Sequence, residues 1–492
     1  MRLSYETLKA QKYGGYLLQD APEKVLQFGT GNFLRAFAED FIDRMNECAG
    51  FNGKVVVSRL VRSDREDEFA GQDGLYMLLL RGCSDGQPVS CRRVISCVSR
   101  CIDPYRDFES LLSCARNPDL QVIISNSTEA GIVYDPACGP EDAPPASFPA
   151  KLTRFMMERY RAGLPGFVIL ACELIDNNGG KLRDCVLAHA RQWRQDEDFL
   201  RWIQEENLFC STLVDRIVTG FPAAEAEALQ SELGYEDRML TAGEIFASWV
   251  IEGPEYIREI LPFEKAGLPV MVVDDVRPYK QRKVRLLNGA HTSMVTAAYL
   301  AGQDIVRGCM EHPVIRDYLY RTLHKEIIPA MTMPVEELEA FAGAVIDRFR
   351  NPYIDHRLLA IALNSTSKWR ARVLPSLKDY LQRFDCLPKR LTFSLAAQIA
   401  FYANADERKA ETLAGRRNGD VYEVRDDAWV LDFYARADRA ALVHDVLSNE
   451  RMWGEDLTKL PGFEAAVSEY LARIGQFGML KAMETLSEEA DV

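Results

Sequence analysis

A short segment in the second half of the sequence brings together three polar side chains that could move a proton at a carbonyl group. It reads Lys283-Val-Arg-Leu-Leu-Asn288-Gly-Ala-His291. In an α-helix, Asn288 and His291 are surface neighbours, and Lys283 lies about 140° from the former and about 80° from the latter, within reach of its long stem. A desolvated lysine can act as acid or base, and an amide and an imidazole can donate hydrogen bonds to a developing alkoxide. The structural alternative is a solvated lysine, a capping asparagine and a core histidine.

A second segment, near the N-terminus, has the pattern of a nucleotide-binding turn. It reads Lys24-Val-Leu-Gln-Phe-Gly-Thr-Gly-Asn-Phe-Leu-Arg35, in which apolar residues 25–28 predict a strand and residues 34–45 predict a helix. The two glycines would let the backbone approach a pyrophosphate. Leu34 replaces the third glycine, so an ordinary strand–helix turn stays open as the alternative. The residues predicted to contact a cofactor here are Phe28, Gly29, Thr30, Gly31, Asn32, Phe33 and Arg35.

The end of the second predicted strand bears on which cofactor the turn would select. Folds that prefer NAD usually carry an acid there, about 20 residues past the glycines, to bind the ribose. This strand ends in Ser58-Arg59, and the next acid is Asp64. Ser58 and Arg59 are therefore predicted to contact the cofactor, and they could hold the 2′-phosphate of NADP.

Composition limits the class of protein. The chain has 492 residues, 47% of them hydrophobic and 27% charged, as in a globular protein of two or three domains. A net charge of −14 argues against general binding to nucleic acid or anionic membranes. No apolar run is long enough to span a membrane and residues 1–6 contain no apolar leader segment, so we expect a cytoplasmic protein. The twelve cysteines form no CxxC pair and no metal-ligand spacing is present, so we expect reduced thiols and no metal.

The pattern along the chain changes near residue 277. Before it, short apolar runs alternate with helical patterns, which is typical of a parallel sheet. The predicted strands are 25–28, 55–58, 122–125, 167–172, 247–251 and 270–273. Beyond residue 278 the pattern is helical, as in 284–300, 334–349 and 391–402, and the polar stretch 404–427 has the composition of a surface excursion. We therefore predict an α/β Rossmann-type domain with extra strands over 1–276 and a mainly α-helical catalytic domain over 277–492, with an active site between them.

Both segments resemble the mannitol dehydrogenase family of long-chain polyol and aldonate dehydrogenases. The resemblance extends from about residue 20 to about 480 and includes residues 127–131, 172–179, 209–220, 273–280 and 348–353. It implies that Lys283 is the catalytic acid/base and that Asn288 and His291 polarise the reacting oxygen. It also implies that Asn178 completes the oxyanion pocket, although Asn-Gly is equally a turn signal. NAD(H) is the cofactor that the resemblance implies.

The resemblance further implies a group of substrate-side residues. Asp215 matches a family aspartate, Glu129 a glutamate that could relay protons, and Lys368 a lysine that reaches the substrate. Structural roles stay open for Asp215, as a salt bridge with Arg216 or a helix cap, and for Glu129, as a solvated loop acid.

Charge and one departure from the family pattern indicate an acidic substrate. Ala360 stands where polyol-specific relatives often keep an arginine, which favours a six-carbon keto-uronate over a neutral sugar. Five basic residues in 277–285 could attract it: Arg277 and Lys280 are predicted carboxylate contacts, and Arg282 and Arg285 are predicted to be solvated. The alternatives are another substrate of the same family or a non-catalytic NAD-binding sensor. The sequence leaves the oligomeric state open, a monomer included.

Overall fold

The computed structural model describes residues 1–64 and 67–488. The chain forms two compact units. The first comprises Met1–Gly82 and Val89–Tyr279, and the second comprises Cys83–Pro88 and the chain from Lys280 onward. The predicted boundary at residues 276–277 lies close to this division, but the sequence gives no sign that residues 83–88 group with the second unit. No helix of the described chain combines the length and the apolar character needed to cross a membrane.

The first unit is built on a large sheet and a small one. Their strands are β1 (Glu23–Phe28), β2 (Lys54–Ser58), β3 (Tyr76–Ser84), β4 (Gln87–Ile95), β5 (Val98–Ile102), β6 (Val122–Ser125), β7 (Val168–Ala171), β8 (Leu208–Asp215), β9 (Val218–Gly220), β10 (Thr241–Glu244), β11 (Ser248–Glu252) and β12 (Val270–Val273). The large sheet has the order β12-β11-β8-β7-β6-β1-β2-β5, and its pairs are parallel except for β8 with β11. The small sheet has the order β4-β3-β10-β9.

Both faces of the large sheet are covered, which explains its continuous apolar strands. Neighbouring side chains of one strand enter different cores: Val55 and Val57 pack on one side of the sheet, and Val56 on the other. Side chains alternate between the faces of a strand, so a strand buried on both faces has no polar alternation. The predicted Rossmann-type α/β unit is confirmed, and all six predicted strands are present.

Helices surround these sheets. They are α1 (Tyr5–Ala10), α2 (Asn32–Arg35), α3 (Ala38–Ala49), α4 (Glu68–Gly71), α5 (Phe108–Ala115), α6 (Phe148–Arg161), α7 (Asn178–Gln192), α8 (Glu197–Glu205), α9 (Ala226–Leu233) and α10 (Ile257–Ile260), and α11 (Arg277–Arg282) leads into the second unit. The helix predicted over 34–45 is two helices, because the chain leaves helical geometry at Phe37 (φ −129°, ψ −79°).

The second unit is mainly helical, as predicted. Its α-helices are α12 (Ala290–Leu300), α13 (Val306–Glu311), α14 (Pro313–Arg321), α15 (Val335–Phe349), α16 (Leu358–Ile361), α17 (Ser365–Arg372), α18 (Leu374–Phe384), α19 (Lys389–Ala403), α20 (Ala428–Arg436), α21 (Leu442–Leu447), α22 (Glu450–Trp453), α23 (Phe463–Phe477) and α24 (Met479–Glu488). Lys283–Gly289 and Thr322–Ile327 are π-helical, and Ile328–Ala330 and Leu457–Lys459 are 3₁₀ turns. The polar stretch 404–427 forms an antiparallel sheet that the sequence did not predict: β13 (Ala405–Arg408), β14 (Leu413–Arg417) and β15 (Asp420–Val424).

Candidate active site

The turn after β1 contains two glycines, and only the first of them is required by the backbone conformation and the packing of the protein. Gly29 has φ +122°, which side chains rarely tolerate, and a Cβ there would lie 3.0 Å from the carbonyl oxygen of Asn126. Gly31 has an ordinary extended backbone, and a Cβ there would meet no atom within 4 Å. Neither backbone conformation nor protein packing therefore requires glycine at position 31. Open space beside the chain is what a closely approaching pyrophosphate needs, so the turn fits a dinucleotide.

A cavity of about 680 Å³ lies against this turn, at the carboxyl ends of the central parallel strands, where open α/β sheets bind ligands. Gly29, Thr30 and Gly31 line it together with the loop that follows β6. Glu173, which is buried just after β7, holds that loop: its carboxylate accepts hydrogen bonds from the Ser127 backbone N–H (2.9 Å) and hydroxyl (3.0 Å).

The other predicted cofactor residues occupy different environments. The Phe28 side chain is fully buried against Phe148, and Phe33 stacks on Phe37 at 5.0 Å, so both rings belong to the packing beneath the turn. Asn32 is exposed and accepts a hydrogen bond from Arg35.

The last three predicted cofactor residues, Arg35, Ser58 and Arg59, are either buried or already bound to other groups of the protein. The Arg35 guanidinium also donates to the Met239 carbonyl (2.6 Å). Ser58 is fully buried, and Arg59 lies 3.6 Å from Asp103. Direct side-chain contacts from Phe28, Phe33 and Ser58 to a cofactor are therefore not supported by their placement.

The side chain of Asn178 is buried and hydrogen-bonded to the backbone, whereas an oxyanion donor is expected to have a free N–H group that faces the substrate. Its side chain is 1% exposed, and its amide nitrogen donates to the carbonyls of Glu173 (2.9 Å) and Thr212 (3.0 Å). Its amide oxygen accepts from the N–H groups of Gly179 and Thr212, both at 2.9 Å. These bonds tie the start of α7 to β8 and occupy both amide hydrogens. Its exposed neighbour Asn177 adopts a left-handed conformation just before α7, whereas Asn178 and Gly179 are the first residues of that helix, so Asn178 is not the turn residue that the Asn-Gly pair suggested.

The Lys283–Gly289 segment is π-helical, which changes the geometry of the catalytic motif. A π-helix closes hydrogen bonds between residues five apart, so such residues lie on one side of it, and single π-turns are frequent at functional sites. Lys283 and Asn288 are five apart, and the separation of about 140° expected for an α-helix therefore does not apply. Both side chains are half-buried. The side-chain amide of Asn288 makes no hydrogen bond to any residue that the structure describes.

His291 follows at the start of α12 and is held by aromatic packing. Its ring stacks on Phe349 (centroids 4.0 Å apart, planes 14° apart) and meets His356 edge-on at 5.4 Å. Its Nε2 is buried without a hydrogen-bond partner in the described chain. Burial, followed by the positive charges of His356, Arg348 and Arg372, holds the pKa of His291 well below its usual range. The imidazole is therefore neutral near pH 7.

Basic side chains of the second unit, Arg348, Arg372 and His356, act on His291. Burial lowers the pKa of Lys368, with Arg372 adding to the effect, and burial also lowers the pKa of Arg372 and of His356. The ammonium of Lys368, a predicted substrate contact, donates to the Ile361 carbonyl at 2.8 Å. The sequence did not single out Arg348, Arg372 or His356. Of these three residues, only Arg348 lies in a segment, 348–353, that the family resemblance included.

Of the other four predicted substrate residues, Glu129, Asp215 and Arg277 belong to the first unit and Lys280 to the second. Glu129 is exposed in the turn after β6, and Asp215 is buried at the end of β8. Arg216 forms its ion pair with Asp40 (2.9 Å), so the expected alternative of an Asp215–Arg216 bridge is not the one seen. Arg277 is exposed and paired with Asp275, and Lys280 is half-buried with a pKa lowered by burial.

Two basic residues beside the motif are not solvated as predicted. Arg282 is buried over the Phe341 ring (4.7 Å) and lies 3.7 Å from Glu337. Arg285 pairs with Asp379 at 2.6 Å. Both arginines therefore attach the motif to neighbouring helices of the second unit.

A parallel sheet with a glycine turn and a helical unit with a lysine–asparagine–histidine motif define the class of long-chain nucleotide-dependent dehydrogenases. The family profile of the mannitol dehydrogenase Rossmann domain matches residues 23–265, and that of the mannitol dehydrogenase C-terminal domain matches residues 275–475. The chain belongs to the mannitol dehydrogenase family.

Full-length relatives agree with this assignment. The chain is 44% identical over 496 residues to an altronate oxidoreductase of Yersinia enterocolitica, covering 98% of this chain and 100% of that protein. It is 45% identical over 479 residues to an altronate oxidoreductase of Klebsiella pneumoniae, covering 94% and 97%.

Two solved structures share the fold at 24% identity. A substrate-free D-sorbitol dehydrogenase has a TM-score of 0.81 and covers 98% of this chain and 100% of its own. A Pseudomonas fluorescens mannitol 2-dehydrogenase, in ternary complex with NAD and D-mannitol, has a TM-score of 0.68 and covers 100% of both chains.

Proposed function

We propose that this protein is an NAD-dependent oxidoreductase that reversibly reduces D-tagaturonate to D-altronate in hexuronate catabolism. The observation that carries the proposal is the intact motif of Lys283 and Asn288 on a π-helix with His291 at the start of the next helix, in a chain 43–45% identical to altronate oxidoreductases along nearly its whole length. The glycine turn after β1, whose Gly31 leaves open space, would hold the cofactor pyrophosphate. When bound, NADH supplies the hydride.

The motif supplies polarisation and a proton. The Asn288 amide and the neutral His291 ring have hydrogen-bonding groups without partners in the described chain, so they can donate to the ketone oxygen as negative charge develops on it. Protonated Lys283 then gives its proton to that oxygen, which yields the alcohol. In the oxidative direction the neutral amine takes the same proton back.

The charges around His291 fit an anionic substrate better than a neutral polyol. Burial, and after it the positive charges of Arg372 and Lys368, lowers the pKa values of His291, Lys368 and His356, so positive charge is held close together in a partly buried environment. A substrate carboxylate would relieve that repulsion. Fructuronate reduction and mannitol 2-dehydrogenation, the same-family alternatives, differ in the substrate, and a non-catalytic NAD-binding sensor would show no turnover at all.

Replacing the lysine tests the mechanism. Lys283→Ala should lower kcat by about 10² or more, the scale of general acid–base catalysis, while the Kd for NADH changes little. The oxidative rate of the wild type should rise with pH through one ionisation, and this dependence should disappear in the variant. Lys459→Ala, which removes an exposed lysine of the second unit, is the matched control. Near-normal kcat with an unchanged pH profile in Lys283→Ala would rule the mechanism out.

A substrate panel tests the specificity. We expect NADH oxidation to be fastest, by kcat/KM, with D-tagaturonate, when D-fructuronate and D-fructose are assayed beside it. A higher kcat/KM for fructuronate would move the protein to the neighbouring uronate activity. A higher value for fructose would contradict the anionic substrate, and no turnover with any ketose would favour the sensor.

A further inference from the structure

Helix α17 carries two basic side chains of the candidate active site, Lys368 and Arg372. Arg372 acts on His291, and Lys368 acts on His356, whose ring meets that of His291. The residue before the helix, Asn364, is left-handed (φ +53°), and its side chain makes no capping hydrogen bond. The first N–H groups of a helix have no partner inside it, so those of α17 need one from elsewhere.

The partner is a carboxylate just beyond β15, 60 residues further along the chain. The Thr366 N–H donates to Oδ2 of Asp426 at 3.1 Å. The hydroxyl of Tyr402, near the end of α19, donates to the same oxygen, and the Asp427 N–H donates to Oδ1 at 2.8 Å. A carboxylate in this position also faces the positive end of the helix dipole. Asp426 therefore holds the first turn of α17.

Asp426 also acts on Lys368 through its charge. The Lys368 ammonium donates to the Ile361 carbonyl (2.8 Å) and forms no ion pair within the part of the chain that the structure describes. Burial lowers the pKa of Lys368, the positive charge of Arg372 lowers it further, and the negative charge of Asp426 raises it. Burial, followed by the charge of Lys368, in turn lowers the pKa of His356. An opposite charge favours the charged form of a lysine, so Asp426 offsets part of the cost of burying this ammonium.

We propose that Asp426 is a positioning residue of the candidate active site, which holds the first turn of α17 and keeps the Lys368 ammonium charged for the substrate carboxylate. The inference rests on the proposed function in that Lys368 binds that carboxylate. Asp426 acts through Lys368 and takes no part in the transfer of hydride or proton. The sheet of β13–β15, which ends at Val424, thereby has a role in the site, because it brings Asp426 to the start of α17.

Two substitutions separate the charge of Asp426 from its hydrogen bonds. In Asp426→Asn one side-chain oxygen can keep the bonds from Thr366 and Tyr402, since both reach Oδ2, and the charge and the bond from the Asp427 N–H are lost. Asp426→Ala loses all of them. Asp427→Asn is the matched control, because it removes one negative charge from an exposed neighbour that makes no side-chain cap. The midpoint of denaturation should fall clearly in Asp426→Ala and little in the two asparagine variants.

The reactivity of Lys368 measures its charge without any turnover. Acetic anhydride acetylates the neutral amine alone, so rates measured across a pH series by peptide mass spectrometry give the midpoint of its ionisation. This midpoint should be lower in Asp426→Asn than in Asp427→Asn. At a fixed pH below it, Lys368 should therefore react about threefold or more faster in Asp426→Asn, with the exposed Lys459 as internal reference. Equal midpoints in the two variants would overturn the inference.

Activity separates this inference from the proposed function. With a keto-uronate that is turned over, KM should rise about threefold or more in Asp426→Asn, increasingly at high pH, while kcat changes little, because the substrate carboxylate loses a charged partner. Asp427→Asn should leave both constants unchanged. An unchanged KM in Asp426→Asn would overturn the role of Asp426 in substrate binding. Turnover of no ketose at all would remove the proposed function, and the acetylation midpoints would still decide whether Asp426 keeps Lys368 charged.

Discussion

Gly289, the last residue of the π-helical segment, offers a sharp test of how the catalytic motif is positioned. A Cβ at this position would lie 2.9 Å from the carbonyl oxygen of Arg372 and 3.4 Å from that of Val284. The first distance is shorter than ordinary contact, and both partners are backbone atoms, so the π-segment and α17 would have to move apart by a few tenths of an ångström. Overpacking of this kind costs about 1–3 kcal/mol, against about 1 kcal/mol gained by replacing glycine within a helix. We expect Gly289→Ala to lower the free energy of unfolding by about 0–2 kcal/mol.

The effect on catalysis should exceed the effect on stability. Asn288 precedes the glycine, and His291 follows two residues later, so a displacement of the segment moves both donors relative to the substrate oxygen. Misplacement by about 1 Å can cost about 10²-fold in rate, so a smaller shift should lower kcat by about tenfold. Gly343→Ala in α15 is the control, because a Cβ there meets nothing within 4 Å and should stabilise the helix without a change in kcat. Equal kcat and equal midpoints of denaturation for the two variants would refute the positioning role of Gly289.

Three further predictions concern the first unit. Gly29→Ala should lower the midpoint of thermal unfolding, because position 29 has a φ of +122°. Gly31→Ala should fold normally and weaken NADH binding, because a Cβ there would occupy the open space beside the turn. Equal NADH affinity of Gly31→Ala and wild type would show that the pyrophosphate does not bind at this turn. Asn178→Ala should lower the free energy of unfolding by about 1–3 kcal/mol, because it leaves buried backbone groups without hydrogen-bond partners. A lower kcat with unchanged denaturant unfolding would contradict this and would indicate that Asn178 acts in catalysis. Burial lowers the pKa of Lys151 from 10.5 to about 8, so the unfolded chain binds more protons between these values and stability should rise with pH across that window. Lys151→Met should flatten this dependence in denaturant titrations, and an unchanged slope would contradict it.

The sequence predicted the central strands because they are buried on both faces and consist of unbroken apolar runs, as in β2 and β6. It missed β4, whose residues are largely exposed, and the sheet of β13–β15, whose polar composition is typical of loops. Hydrophobic periodicity identifies a strand only where one or both faces contact a core. Periodicity therefore could not identify β4 or the sheet of β13–β15, whereas β3 was missed although its first five residues are a buried apolar run.

The candidate site was predictable where it is local in sequence. Lys283, Asn288 and His291 lie within nine residues, so their types and spacing were visible, but the π-helical geometry was not, because apolar spacing over seven residues does not distinguish it from an α-helix. Arg372 joins the motif through contact between separate helices, and only the fold brings it there.

The cationic surroundings of His291 explain how an acidic protein could hold an acidic substrate. Exposed charges farther apart than about 8 Å are largely screened at physiological salt, so the surface carboxylates that give the chain its charge of −14 have little effect on a partly buried cluster. Within the cluster, burial and mutual repulsion lower the pKa values of Lys368 and His356, which means that their charged forms are held at a cost in free energy. A carboxylate entering the cluster would remove that repulsion and raise both pKa values. If the substrate carboxylate binds there, we expect substrate binding to be linked to proton uptake, and a neutral polyol, which cannot provide the balancing charge, would gain no such stabilisation.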